Sequence, residues 1–210
     1  MQTQKTHDLK LDGLKPDGLE LDSSGGNPIT WLSFAAIFIV LGGLLYPLVT
    51  TLLGQAIFPF QAKGSLLERN GAIVGSSLIG QSFSGVGFFV GRPSSAGKGY
   101  DPTSASGSNL AASNPALRER ATATANEIAA REGVTVEQIP VDLIAASGGG
   151  LDPHISPAAA ELQVARVARA RGLTVDEIRA LVQKHTAAPV FGILGQVRVN
   201  VLELNLELER

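Results

Sequence analysis

The stretch that decides the fold is residues 31–53, WLSFAAIFIVLGGLLYPLVTTLL, which has no charged side chain among its 23 residues. A helix of that length rises about 34 Å, enough to cross a hydrocarbon core of about 30 Å with some tilt. The sequence therefore predicts a transmembrane helix over residues 31–54. No later stretch repeats this pattern, so we expect a single-pass membrane protein.

A cleaved signal peptide is the alternative interpretation, because its apolar region also lies near an N-terminus. That region is usually only about 7–15 residues long and ends at a small-residue cleavage site. The run here is longer, and residues 55–60, QAIFPF, contain no clean cleavage site. We therefore expect a retained anchor, with Trp31 at one membrane interface and Phe58 and Phe60 at the other.

Two polar regions flank the predicted helix. Residues 1–30 repeat Asp-Gly-Leu and then run into Ser and Gly, which predicts a disordered tail because such a segment buries little apolar surface. Residues 63–210 are long enough for one hydrophobic core. Lys and Arg are nearly balanced on the two sides of the helix, so charge alone does not fix its orientation.

Composition excludes several functions for residues 63–210. They carry 14 Lys plus Arg against 14 Asp plus Glu, and nucleic-acid binding needs a concentrated positive surface. We therefore expect no nucleic-acid partner. The chain has no cysteine, which excludes a disulfide framework and a thiolate metal site.

Patterns after the membrane predict an α+β domain over residues 63–210. Short apolar runs predict strands within residues 71–79 and 85–90, and the Gly- and Ser-rich residues 91–113 predict a long loop. Three helices have recognisable start or stop signals. These signals are Asn114-Pro115 and Gly133 for the first, Ser156-Pro157 and Gly172 for the second, and the Thr174 and Glu177 capping box for the third.

The C-terminus changes its apolar phase near Asn200. Valines alternate up to residue 201, and leucines then occupy residues 202, 204, 206 and 208, so one regular strand cannot bury them all. Asn200 with Glu203 three residues later could cap a short terminal helix. A bulged strand is the alternative.

Residues 147–157, SGGGLDPHISP, carry the densest chemical signal. Successive glycines ahead of a helix can expose backbone N–H groups to an anion, but neither standard nucleotide-binding motif occurs, which favours a tight structural turn. His154 beside Asp152 suggests a general base, yet catalysis needs a nucleophile or second base that the sequence does not supply. We therefore predict no catalytic residue and no metal site, with Asp152 capping a local turn.

Small residues recur along one side of the predicted membrane helix. Gly43, Pro47, Thr50 and Gly54 fall at steps of three or four, so they share a helix face. Helices associate in membranes through close packing, for which small residues are suited. We predict that these four residues form a docking face; a kinked, lipid-facing anchor is the alternative.

Several segments together resemble one family, the C subunit of the Kdp potassium-transporting P-type ATPase. The resemblance begins at about Trp31 and runs to the C-terminus, and residues 150–160, GLDPHISPAAA, are its most specific block. The tail before Pro28 is longer than is usual in the family. The other matching segments are Tyr46-Pro47, residues 80–83, 91–94, 106–110, 113–115 and 198–202.

This resemblance implies an accessory, non-catalytic subunit of a complex that imports potassium at the expense of ATP. Its partners would be the potassium-pore subunit, the ATP-hydrolysing subunit and a small single-helix subunit, within the lipid bilayer of the cell inner (plasma) membrane. The chain has no Asp-Lys-Thr-Gly-Thr phosphorylation motif, which agrees with a subunit that does not itself hydrolyse ATP. By analogy with the family, the N-terminus is cytoplasmic and the C-terminal domain is periplasmic or extracellular.

Family members are described as catalytic chaperones that raise the ATP affinity of the hydrolysing subunit. The residues that would touch nucleotide here are Ser147, Gly148, Gly149 and Gln163. A bilayer would separate an outer domain from cytoplasmic ATP, so we expect no cofactor of its own, with ATP reached only through the complex. We instead expect a role in stabilising the assembly and shaping the outer mouth of the potassium pathway. A membrane-anchored extracytoplasmic enzyme using His154 and Asp152, and a purely structural anchor, are the alternatives.

Overall fold

The computed structural model describes residues 27–209 and separates two compact units between Ala56 and Ile57. One apolar helix is followed by a mixture of helices and strands, which confirms the predicted fold class. The tail predicted to be disordered over residues 1–30 falls, up to residue 26, outside the described residues, whereas residues 28–30 form the first turn of a helix capped by Asn27.

The first unit contains the apolar helix. Helix α1 (Pro28–Phe38), a π-helical segment (Ile39–Leu45) and helix α2 (Tyr46–Ile57) follow one another without a break over 30 residues. None of its residues is buried. Within residues 27–209 it is the one helix long and apolar enough to cross a membrane.

The π-helical segment has a cause in the sequence. Pro47 has no backbone N–H, so it cannot donate to the carbonyl of Gly43 four residues earlier. Directly before it, the N–H of Tyr46 reaches the carbonyl of Leu41, five residues back. Local π geometry is one way in which a membrane helix absorbs such an interruption.

The second unit begins with a short helix and a β-hairpin. Helix α3 (Pro59–Ala62) leads into strands β1 (Leu66–Arg69) and β2 (Ala72–Ser76), which pair antiparallel. Asn70 and Gly71 connect them with φ angles of 51° and 77°, the combination that a tight hairpin turn requires. Strand β2 confirms the strand predicted within residues 71–79, whereas β1 was not predicted.

A second, three-stranded sheet joins distant parts of the chain. It has the antiparallel order β3–β5–β4, formed by β3 (His154–Ile155), β4 (Thr186–Ala187) and β5 (Arg198–Asn200). Because β5 lies in the centre, it ties the residues before the second predicted helix to those after the third.

The three predicted helices are confirmed with their caps. They are α4 (Pro115–Glu132), α6 (Pro157–Arg171) and α7 (Val175–Lys184), with α5 (Val141–Ile144) as an additional short helix. Gly133 and Gly172 adopt left-handed φ angles of 71° and 67° at the ends of α4 and α6. Thr174 and Glu177 form the predicted capping box of α7.

Of the two structures predicted for the C-terminus, the capped helix is confirmed and the bulged strand is wrong. Asn200 ends β5, and its side-chain oxygen accepts a hydrogen bond of 3.1 Å from the N–H of Glu203 at the start of α8 (Val201–Leu208). The change from strand to helix lets valines and leucines of different phase face the same core. Val199, Val201 and Leu204 are all buried.

Residues 85–90 do not form the predicted strand. Their backbone groups pair with side chains of α6 and α8 instead of with a neighbouring strand, while Phe89 is fully buried. The long loop predicted over residues 91–113 is confirmed and contains one short 3-10 turn, Pro102–Ser104.

The core of the second unit lies between these elements. Helix α6 contributes more buried residues to it than any other element, with α4, α7, β5, α8 and the loop residue Phe89 packed around it. The buried core residues of α6 and α7 are Ala159, Ala160, Val164, Val167, Ala168, Ile178 and Val182.

Candidate functional site

The predicted docking face lies on the apolar helix and leaves its surface open. A side-chain carbon added at Gly43 or Gly54 would meet no other atom within 4 Å. Thr50 donates its hydroxyl to the backbone carbonyls of Tyr46 and Pro47, at 2.8 and 3.1 Å, so it brings no unpaired polar group to the face. The face can therefore be approached closely by another helix without a polar penalty.

The residues resembling a nucleotide signature have a different environment. Ser147 is buried, and its backbone N–H donates to the carbonyl of Pro93 at 3.3 Å. Gly148 and Gly149 are exposed. Gly150 turns the chain with a φ of 73°, in a space where a side-chain carbon would lie 2.7 Å from the backbone nitrogen of Ala96 and from the backbone oxygen of Ser106. The turn is thus packed on one side and open on the other.

Gln163 is fully buried, and its amide is used within the fold. Its Oε1 accepts from the N–H of Val90 at 2.8 Å, and its Nε2 donates to the carbonyls of Val90 at 3.0 Å and Ala159 at 3.2 Å. Arg166 donates a further bond to Oε1 at 2.9 Å. Both amide atoms of Gln163 therefore already have partners inside the protein.

Ser147 and Gln163 each hydrogen-bond to the same short segment, residues 90–93. Gln163 holds Val90 at one end, and Ser147 bonds Pro93 at the other. Val90 and Pro93 also line a cavity of about 250 Å³, together with Tyr100. None of the four residues that resemble a nucleotide signature lines that cavity.

Three further side chains hold residues 86–90 with Gln163, and we call the four the clamp: Gln163, Arg166, Arg171 and Asn205. Asn205 exchanges two bonds with Phe89, accepting from its N–H at 2.8 Å and donating to its carbonyl at 2.9 Å. The clamp thus supplies the hydrogen bonds that a partner strand would otherwise give.

The two clamp arginines also bind this segment. Arg166 donates to the carbonyls of Val86 and Phe88, at 2.6 and 2.9 Å, and pairs with the buried carboxylate of Glu132. Arg171 donates to Gly87 at 2.8 Å, with its guanidinium carbon 4.6 Å from the Phe88 ring centroid, a cation–π geometry. The sequence patterns gave no sign of this role of Arg171.

The carboxylate of Asp152 is held in a local turn by His154 and Arg92. Its carboxylate accepts from the N–H of His154 at 3.0 Å, lies 3.3 Å from that residue's Nδ1, and pairs with Arg92 at 3.0 Å. Burial acts to raise the pKa of Asp152, but these bonds outweigh it and hold the pKa below its usual value. The local turn predicted for Asp152 is therefore confirmed.

Tyr100 closes the same region. Its hydroxyl donates to the carbonyl of Arg92 at 2.6 Å, and its N–H donates to the Ser94 hydroxyl at 2.7 Å. Burial, together with the negative charge of Asp152, raises the pKa of Tyr100 to about 12, so it remains a neutral donor at physiological pH. Within residues 27–209 no cluster of three or more His, Asp or Glu side chains could hold a metal ion.

Comparison with known proteins identifies the family. A family model described as KdpC, K+-transporting ATPase, c chain, matches residues 29–210. The chain belongs to the KdpC family. All eight predicted site residues fall within the matched range, and the extended tail before residue 29 falls outside it.

Individual relatives in the KdpC family cover most of the chain. The potassium-transporting ATPase KdpC subunit of Shewanella putrefaciens is 53% identical over 178 residues, 85% of this chain and 87% of that one. The KdpC subunit of Acidobacterium capsulatum is 50% identical over 87% of this chain and 95% of its own. That of Ralstonia nicotianae is 48% identical over 92% and 96%.

Proposed function

We propose that this chain is an accessory, non-catalytic subunit of an ATP-driven potassium import complex, held in the membrane by the helix Pro28–Ile57. Membership of the KdpC family supports the assignment to the complex. The N-terminus faces the cytoplasm, and the second unit faces the outside. Its partners are the potassium-pore subunit, the ATP-hydrolysing subunit and a small single-helix subunit.

The absence of a reaction of its own is supported by how the polar groups are used. His154 and Asp152, the pair that an anchored enzyme would employ, are bonded to each other, and Asp152 also accepts from Arg92. A general base needs a free acceptor within reach of a substrate proton, and this carboxylate is already paired. The second unit therefore contributes binding surfaces rather than a reaction centre.

Assembly through the docking face is the central part of this proposal. The observation that carries it is the spacing of Gly43, Pro47, Thr50 and Gly54, which fall at steps of three or four and so share one side of the helix. Lipid chains are as apolar as leucine, so close packing rather than apolar burial selects small residues on a membrane helix. The partner is a membrane helix of the potassium-pore subunit.

An effect on ATP affinity follows from assembly in this proposal. Gln163 would have to break bonds to Val90, Ala159 and Arg166 before its amide could reach a nucleotide. Each buried polar group left unpaired would cost about 1–3 kcal/mol. We therefore assign the influence on the hydrolysing subunit to contacts within the complex, and we assign no direct nucleotide contact to Ser147, Gly148, Gly149 or Gln163.

The test compares glycines on the proposed face with a glycine beside it on the same helix. Gly43→Leu combined with Gly54→Leu should release the subunit from the detergent-solubilised complex and abolish potassium uptake at limiting supply. Gly42→Leu is the matched control, because its position is equally open but lies about a quarter turn away from the face. Normal co-purification of the double variant, or equal loss with the control, would contradict the docking face.

A further inference from the structure

The second unit carries an apolar tip that the proposed assembly role does not use. We define the tip as Val190, Phe191, Ile193 and Leu194, in the connection between β4 and β5. Phe191 and Ile193 are 88% and 81% exposed, and Leu194 is 58% exposed. Monomeric soluble proteins seldom present such contiguous large apolar side chains to water, so this arrangement points to an apolar partner.

The tip is ordered by its own backbone. Val190 and Leu194 exchange two hydrogen bonds of 2.9 Å, and the N–H of Gly192 donates to the carbonyl of Pro189 at 3.0 Å. Phe191 has a left-handed φ of 54°, a conformation that a bulky side chain adopts only at a cost. The fold thus holds Phe191 and Ile193 outward at the end of a closed turn.

Charge around the tip fits the surface of a bilayer. Residues 186–197 contain no charged side chain, and Arg198 follows directly. An uncharged apolar tip can enter the acyl boundary while an adjacent arginine meets lipid phosphate, as in other interfacial anchors.

The membrane anchor keeps a bilayer within reach of the tip. Seven residues lie between Ile57, the last residue of α2, and Ser65, the first buried residue of the second unit. So short a connection, spanning at most about 30 Å when extended, holds the second unit beside the membrane at a high effective concentration. A weak apolar contact is then sufficient to dock it.

We propose that the tip inserts its apolar side chains into the interfacial region of the lipid bilayer, as a second membrane contact of this chain. The first contact is the helix Pro28–Ile57, so this inference rests on the membrane anchorage under Proposed function. Insertion of the tip would fix the orientation of the second unit above the bilayer without any contact to another subunit.

Single cysteines provide the test, because the natural chain has none. The full chain carrying Phe191→Cys or Ile193→Cys is labelled with a nitroxide and placed in phosphatidylethanolamine–phosphatidylglycerol vesicles, first alone and then assembled with the other subunits. The ratio of oxygen to nickel-chelate accessibility should be several-fold higher at both positions than at Val141→Cys, which is 75% exposed elsewhere in the unit.

Leu48→Cys, within the apolar helix, separates the two proposals. A lipid-like ratio at Leu48 and a water-like ratio at residues 191 and 193 would overturn the insertion of the tip while leaving the anchor intact. Low accessibility of residues 191 and 193 to both reagents in the complex would overturn it in favour of a protein pocket. A water-like ratio at Leu48 would overturn the anchorage, and the inference with it.

Discussion

The docking face and the clamp differ in whether their residues already have contacts within the protein. Gly43 and Gly54 have open space above them, whereas Gln163 and Asn205 are buried with their amides bonded to Val90 and Phe89. Small residues on a membrane helix suit close packing against a partner helix, whereas a polar group used by the fold is already paired. Substitutions in the two regions should therefore affect different measurements, assembly for the face and unfolding for the clamp.

The largest effect on unfolding is expected from Gln163→Leu. The change leaves the N–H and carbonyl of Val90 without the side chain that pairs them, and each unpaired buried group costs about 1–3 kcal/mol. We expect the free energy of unfolding to fall by about 3 kcal/mol, measured by chemical denaturation of the full chain in detergent with circular dichroism.

Gln183→Leu is the matched control for that measurement, because Gln183 is exposed on α7. Equal stability of the two variants would show that the clamp contributes nothing to the fold. Gly43→Leu should leave the unfolding midpoint unchanged. Each of the two regions then affects one measurement, unfolding or assembly, and not the other.

A smaller effect is expected at the start of α4. The side chain of Asn114 accepts from the N–H of Ala116 at 3.0 Å, and loss of such a cap costs about 1 kcal/mol. Asn114→Ala should lower the free energy of unfolding by that amount, with Ser113→Ala as the neighbouring control. An unchanged unfolding curve for Asn114→Ala would contradict a stabilising role for the cap. Weaker association of Asn114→Ala with the complex would contradict the expectation that only the docking face affects assembly.

The smallest effect is expected on the pH dependence of unfolding at acid pH. The Asp152 side chain is 33% exposed, so water weakens its charge interactions. A carboxylate with a lowered pKa in the folded state contributes stability above its unfolded pKa, near 3.9, and loses it as the pH falls through the folded value. Asp152→Asn should therefore make unfolding less dependent on pH in the acid range. Asp176→Asn, at a side chain 92% exposed, is the control, and an equal change in both variants would exclude this origin.

Local signals predicted much of the fold. Asn114, Ser156, Thr174 and Asn200 all cap helices as expected, because capping depends on residues only two or three positions apart. Strand β1 was missed although Asn70-Gly71 is a strong hairpin signal in the sequence.

The predicted strand over residues 85–90 failed for a different reason. Its partner groups lie far along the chain, since Phe89 pairs with Asn205 and Val90 with Gln163. No local pattern distinguishes an apolar run that joins a sheet from one held by distant side chains. For the same reason, the family resemblance identified Gln163 as a candidate site residue, but the sequence could not show that its amide is bonded inside the protein. An asparagine at position 205, among leucines of a buried helix, is the one local sign of the clamp.

Sidedness is the most direct test, because an outer second unit and cytoplasmic ATP cannot meet. Val141→Cys gives a unique thiol at a position that is 75% exposed, and Asn27→Cys gives one at the exposed start of the membrane helix. In intact cells, a membrane-impermeant maleimide should label residue 141 and should reach residue 27 only after lysis. Labelling of residue 27 from outside, with residue 141 protected until lysis, would contradict the account.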